Sequence, residues 1–174
     1  MFGRRMLTFV GAAAFAPVLT VVLPMATANA HGYISSPMSR QAECAQHLLP
    51  CGEIQYEPQS VEGPKGQLNC SAGDPRWAEL DDDSRPWVVD NVGATVDFTW
   101  TFTARHRTTD WEYWIGNTRI ASFSGNDTQP PETVTHTVDL SNYTGRQKLI
   151  GIWNIADTAN AFYACVDLNV GSGS

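Results

Sequence analysis

Basic residues are scarce in this chain. Eleven lysines and arginines stand against eighteen aspartates and glutamates, a net charge of −7 over 174 residues. Such a surface repels phosphate backbones, which argues against nucleic acid as a partner. Cysteine is limited to four residues, none spaced C-x-x-C, so a cysteine-rich metal site is disfavoured. Long apolar runs are confined to the first thirty residues, with no stop-transfer pattern after them. Helical periodicity is weak and no internal repeat is visible, which turns the reading away from bundles and solenoids.

What is present begins with a cut. Arg4 and Arg5 precede an apolar stretch, and Ala28-Asn29-Ala30 is a small-x-small triplet of the kind signal peptidases recognise. Residues 1–30 therefore read as a signal peptide, exported by the general route or, with the arginine pair, the twin-arginine one. Cleavage leaves 144 residues and moves the net charge from −7 to −9, because both leader charges are positive. One domain over 31–170 and a flexible tail over 171–174 are expected. The expected location is secreted and extracellular, with no membrane association after processing. The mature chain would begin at His31, whose α-amine and ring Nδ1 can chelate one metal together. That amine does not exist until the leader is removed.

Cys44, Cys51, Cys70 and Cys165 all lie in the mature part. An even count in an exported chain argues for two disulfides, with three pairings open. Cys44 and Cys51 are near neighbours enclosing Pro50, so they are paired here, leaving Cys70 with Cys165. Closing so long a loop stabilises by about 4 kcal/mol in the chain-entropy model.

Residues 38–90 are irregular, broken by Pro50, Pro58, Pro64, Pro75 and Pro86 and by several glycines. Loops this long are usually functional. Short helical turns are expected near residues 42–48, and Asp81-Asp82-Asp83 reads as a solvated turn. After Gly93, Val96, Phe98, Trp100 and Phe102 alternate with polar residues, a strand with one buried face. Further strands are expected at 111–115, 134–140, 148–155 and 162–170. The 148–155 strand is apolar on both parities and so central. Ser124-Gly125-Asn126-Asp127 with Pro130-Pro131 reads as a loop. The fold class is all-β, an immunoglobulin/fibronectin-III-like β-sandwich with a long irregular region between its first and second strands.

Four histidines are available. His47 lies in the cysteine loop and reads as exposed. His136 shares the apolar parity of its strand and reads as a hydrogen-bonded core residue. His106 follows the end of a strong strand, at a rim, where a ligand and an ordinary polar residue are equally compatible with the pattern. Phe162 opens an apolar alternation and, by pattern alone, is core.

Four stretches carry a resemblance that covers the mature chain in order. They are His31-Gly32-Tyr33-Ile34 with Ser36-Pro37 and Ser39-Arg40; Gln55-Tyr56-Glu57-Pro58-Gln59-Ser60-Val61-Glu62-Gly63; Thr103-Ala104-Arg105-His106-Arg107-Thr108-Thr109-Asp110-Trp111; and residues 153–163, from Trp153-Asn154 to Phe162-Tyr163. The chain resembles the bacterial chitin-active lytic polysaccharide monooxygenases. The resemblance implies one copper ion per chain, held by the α-amine and Nδ1 of His31 and by Nε2 of His106. It implies Phe162 at the axial position, Ala104 as a small neighbour opposite, and Glu62 as a carboxylate that handles a proton. Tyr56, Glu57, Gln59, Ser60, Thr103, Asp157 and Asn160 match positions on the polysaccharide-binding face. The implied activity is oxidative cleavage of insoluble crystalline chitin at C1. An external electron donor and oxygen or hydrogen peroxide are co-reactants, and the protein acts as a monomer. A non-catalytic secreted chitin-binding protein is the alternative, and a copper carrier a third reading.

Overall fold

Apolar residues at period two turn directly into sheet here. The computed structural model describes residues 30–171. In chain order these form His31–Ser36 (β1), Arg40–Ala45 (α1), Glu62–Pro64 (β2), Asp90–Val92 (β3), Thr95–Ala104 (β4), Thr108–Ile115 (β5), Thr118–Thr128 (β6), Thr133–Asp139 (β7), Gly145–Ile155 (β8) and Asn160–Val170 (β9). Short 3₁₀ turns occupy Glu53–Gln55, Pro58–Ser60 and Pro75–Asp81. The expected leader and the residues beyond Gly171 lie outside the described residues. Among the described residues no helix is long and apolar enough to cross a membrane.

Two sheets face each other, as expected for a sandwich. One is ordered β1-β4-β7 and the other β2-β9-β8-β5-β6, with β3 pairing along β9. Val96, Phe98, Trp100 and Phe102 on β4 bury against Trp111, Tyr113, Trp153, Phe162, Ala164 and Val166 from the second sheet. The sheets approach closely at Gly151, where a Cβ would lie 2.5 Å from Ile34 Cδ1. Strand β8 is central between β9 and β5, in line with its apolar residues on both parities.

Residues 118–128 depart from expectation. The Ser124–Asp127 stretch read as a loop belongs to β6, the edge partner of β5. Its residues are mostly exposed, so the strand carries little apolar alternation. The register shifts between Thr108 and Asp110, and Asn126 and Asp127 take positive φ of 51° and 52°. These side chains tolerate that conformation, which explains their turn-like composition within a strand.

The irregular region builds a second core. Leu49, Ile54, Val61, Trp77, Leu80 and Trp87 pack on the outward face of β8 and β9, against Ile150, Ile152, Ala161 and Tyr163. The two disulfides are Cys44–Cys51 and Cys70–Cys165, the pairing expected. The second ties this region to β9. Arg40, 1% exposed, adds an ionic tie: Nε donates to Asp167 Oδ2 at 2.7 Å and Nη2 to Oδ1 at 3.0 Å. The acidic run also binds protein groups rather than only solvent. Asp81 Oδ1 accepts from the main-chain N–H of Cys70 at 2.6 Å, and Asp83 pairs with Arg40 and Lys148, each at 2.8 Å.

Candidate metal centre and polysaccharide face

One end of the sandwich gathers residues from five elements. His31 opens β1 and pairs with Ala104, the last residue of β4. His106 follows two residues later, in the short connection from β4 to β5. The register therefore brings both histidines to the same end of one sheet. Phe162 arrives from the facing sheet, fully buried, with its ring centroid 6.3 Å from that of His31 in an edge-on arrangement. It is both the core residue its alternation implies and a neighbour of His31. Glu62 on β2 pairs with Phe162 across β9, and its Oε1 accepts from Asn160 Nδ2 at 2.7 Å.

His106 is 26% exposed and its Nε2 lies 2.7 Å from Asp157 Oδ1. Asp157 sits in the turn between β8 and β9. The hydrogen bond to His106 holds its carboxyl below the ordinary aspartate range. The resemblance implies a polysaccharide contact for Asp157; the fold joins its carboxylate to the imidazole of His106. Fifty-one residues separate the two, so no local spacing signals the contact.

The remaining expected face residues are distributed around this end. Tyr56 is 73% exposed, at the close of the Glu53–Gln55 turn. Glu57 begins the Pro58–Ser60 turn, which packs beside β1 and carries Gln59 and Ser60. Thr103 is exposed on the last stretch of β4 and Ala104 half-buried beside it. The other two histidines stay apart, as their patterns imply. His47 is exposed at positive φ of 56°. His136 is buried, with Nδ1 2.8 Å from the Tyr113 hydroxyl.

Two residues that the motif reading quoted without a role lie directly beneath the site. Thr108 and Trp153 are fully buried and joined by a 2.7 Å bond from the indole Nε1 to the threonine Oγ1. A threonine opening a strand two residues after a rim histidine was the available signal.

The donor set suits copper. Imidazole nitrogens favour it among divalent metals, and Cu(II) leads the affinity order. Among the described residues no three side chains of His, Cys, Asp or Glu converge as a metal site. A centre built on His31 and His106 would therefore draw a third nitrogen from the main chain. In the full chain that nitrogen is the amide joining Ala30 to His31, a poor ligand; cleavage at that bond would convert it to an amine.

The fold is a β-sandwich with two histidines at one end of a sheet, a buried aromatic ring beside one of them and an exposed tyrosine in the irregular region. The family model described as "Lytic polysaccharide mono-oxygenase, cellulose-degrading" matches residues 31–168. The chain belongs to the lytic polysaccharide monooxygenases, which are copper-dependent oxidoreductases. It is 54% identical over 169 residues to a lytic chitin monooxygenase of Streptomyces ambofaciens, covering 97% of this chain and 98% of that one. It superposes on a lytic polysaccharide monooxygenase of Jonesia denitrificans with TM-score 0.78 and 44% identity, covering 81% of this chain and 100% of that one. A Bacillus amyloliquefaciens relative solved in complex with Cu(I) gives TM-score 0.68 at 27% identity, covering 80% and 99%. Other curated relatives, the GlcNAc-binding proteins, are longer: the chain spans 37–38% of their length at 31–35% identity.

Proposed function

We propose that the mature protein is a secreted copper enzyme that cleaves crystalline chitin oxidatively at C1. The observation that carries this is the end-to-end match, at 54% identity, to a protein named for chitin oxidation. The family description names cellulose instead. The full-length identity outweighs it, and Tyr56, the one exposed aromatic among the described residues, fits a flat chitin surface.

His31 and His106 would hold the copper, with the α-amine of His31 as the third donor. The amine binds only when neutral, and its free pKa is about 7.7–8.0, so copper capture weakens in acid. When bound, copper supplies the one-electron chemistry that activates oxygen or hydrogen peroxide, using electrons from an external donor. Phe162 offers the metal an aromatic ring that cannot coordinate, and buries that side against water. Ala104 contributes only a methyl group, leaving room for a small oxidant. Glu62 is oriented by Asn160 through Oε1, which leaves Oε2 to hold a proton. Tyr56 stacks on a sugar ring while its hydroxyl bonds outward. Glu57, Gln59, Ser60, Thr103, Asp157 and Asn160 supply polar contacts around it.

The test uses protein beginning at His31, loaded with copper and incubated with β-chitin and ascorbate, and with cellulose in parallel. Aldonic-acid oligosaccharides from chitin are expected by mass spectrometry, and none with His106→Ala. Adsorption to chitin without oxidised products would replace this reading with a non-catalytic binder.

A further inference from the structure

The connection that carries His106 is held with unusual completeness for three residues at a rim. Its successive carbonyls each have a separate donor. Arg105 O accepts from Gln129 Nε2 at 3.1 Å, His106 O from Thr108 Oγ1 at 3.1 Å, and Arg107 O from the Ala156 N–H at 2.9 Å. Two of these donors belong to neighbouring segments that pin the loop from outside. The middle one is different, because Thr108 Oγ1 is also the acceptor for the Trp153 indole N–H at 2.7 Å. One hydroxyl therefore donates to the main chain of His106 and receives from a core indole.

The indole continues the link. Trp153 packs 5.1 Å from Phe162, whose ring in turn meets that of His31. The path His106 carbonyl, Thr108 hydroxyl, Trp153, Phe162, His31 runs from the main chain of one histidine to the ring of the other. The rotamer of Thr108 is fixed by β6. A Cβ at Gly125 would lie 2.5 Å from Thr108 Cγ2, and closer still to its carbonyl oxygen. Only a glycine lets the backbone seat against that methyl, and the seated methyl leaves Oγ1 aimed at Trp153 and His106. A buried hydroxyl with both a donor and an acceptor partner is costly to disturb, since its loss strands the indole N–H without a partner.

We infer that Thr108 is a positioning residue that, by holding the His106 carbonyl, sets the direction in which the His106 ring leaves the main chain. The inference rests on His106 being a copper ligand, as proposed above. Groups that orient metal ligands from behind commonly alter metal affinity although they never touch the ion.

The experiment compares Thr108→Val, Thr108→Ser and His106→Ala in protein beginning at His31. Valine preserves the shape and removes the hydroxyl; serine keeps the hydroxyl. Thr108→Val is expected to unfold cooperatively, to bind Cu(II) about 10–100-fold more weakly by calorimetry, and to show an altered Cu(II) EPR signal. In the metal-free protein its His106 ring resonances should shift. Thr108→Ser should restore the parent signal and resonances. Parent affinity, EPR signal and His106 resonances in Thr108→Val, with copper lost in His106→Ala, would overturn the inference alone. Copper retained by His106→Ala would overturn the ligand reading and this inference with it. If Thr108→Val does not fold, Thr108→Ala removes the same hydroxyl without the second branch. Displaced His106 resonances there support the inference, and unmoved ones overturn it.

Discussion

The two hydrophobic cores of this protein obey different rules. Between the sheets, the inward-facing residues recur at period two along β4, β8 and β9, and the packing is dominated by aromatic rings. On the outer face of β8 and β9, the irregular region buries side chains at no fixed period. It relies on two disulfides, the Arg40–Asp167 pair and the cation–ring contact of Arg40 with Trp87 at 5.0 Å. The first core is held by many small dispersion contacts, the second by a few directional ones. The candidate site draws from both: His31, His106 and Phe162 come from the sandwich, Glu62 and Tyr56 from the irregular region. A catalytic surface of this kind needs a rigid frame for the metal and a freely varied chain for the polysaccharide.

The sharpest way to break the second core is to remove one of its charges. Asp167→Ala leaves the Arg40 guanidinium buried without its main partner and should cost about 3–5 kcal/mol. Replacing both together, as Arg40→Met with Asp167→Leu, should cost far less. Chemical denaturation of the three proteins measures this.

A subtler contrast lies in pH. Burial pushes the Glu43 carboxyl up to about 7. The native state keeps its proton when the unfolded chain has lost it, so this group's stabilisation is full below pH 4.5 and lost as pH rises through 7. Burial pushes His136 down to about 4. There the unfolded chain takes the proton first, so the stabilisation is full above pH 6.5 and lost as pH falls through 4. One group lies in each core, and their slopes oppose one another across nearly the same interval. Relative to the parent, Glu43→Gln should gain stability with rising pH between 4.5 and 7, on the order of 2–3 kcal/mol. His136→Gln should lose it with rising pH. Thermal or urea unfolding across that range checks both signs, and parallel profiles would dissolve the contrast.

The smallest effect belongs to the exposed end of the ion network. Lys148 reaches Asp83 at 2.8 Å with both side chains partly in solvent. Lys148→Gln should change stability by about 0–1 kcal/mol. A larger loss in urea unfolding would mean that Asp83 matters to the placement of Arg40.

Much of this was legible beforehand. The alternation at residues 96–102 announced β4, and the two-sided apolar run at 148–155 announced a central strand. Both cysteine pairs followed from count and proximity. The edge strand β6 was not legible, because an exposed strand has no reason to alternate and its bulge uses the residues of a turn. Nor was the second core, whose side chains are brought together by loop path rather than period. At the site, the motif stretches singled out His31, His106, Glu62 and Phe162. The bond of His106 to Asp157 and the Thr108–Trp153 relay join residues 51 and 45 positions apart, which no window along the chain can pair.

By itself the sequence determined the sandwich, the number of cross-links and the residue types capable of binding copper, because local periodicity and side-chain chemistry are properties of short stretches. Only the tertiary structure decided that His31 lies opposite Ala104, that Phe162 meets the His31 ring, and that one buried threonine stands behind His106. Those contacts depend on how strands distant in sequence are registered, and register is set by the packing of the whole sandwich.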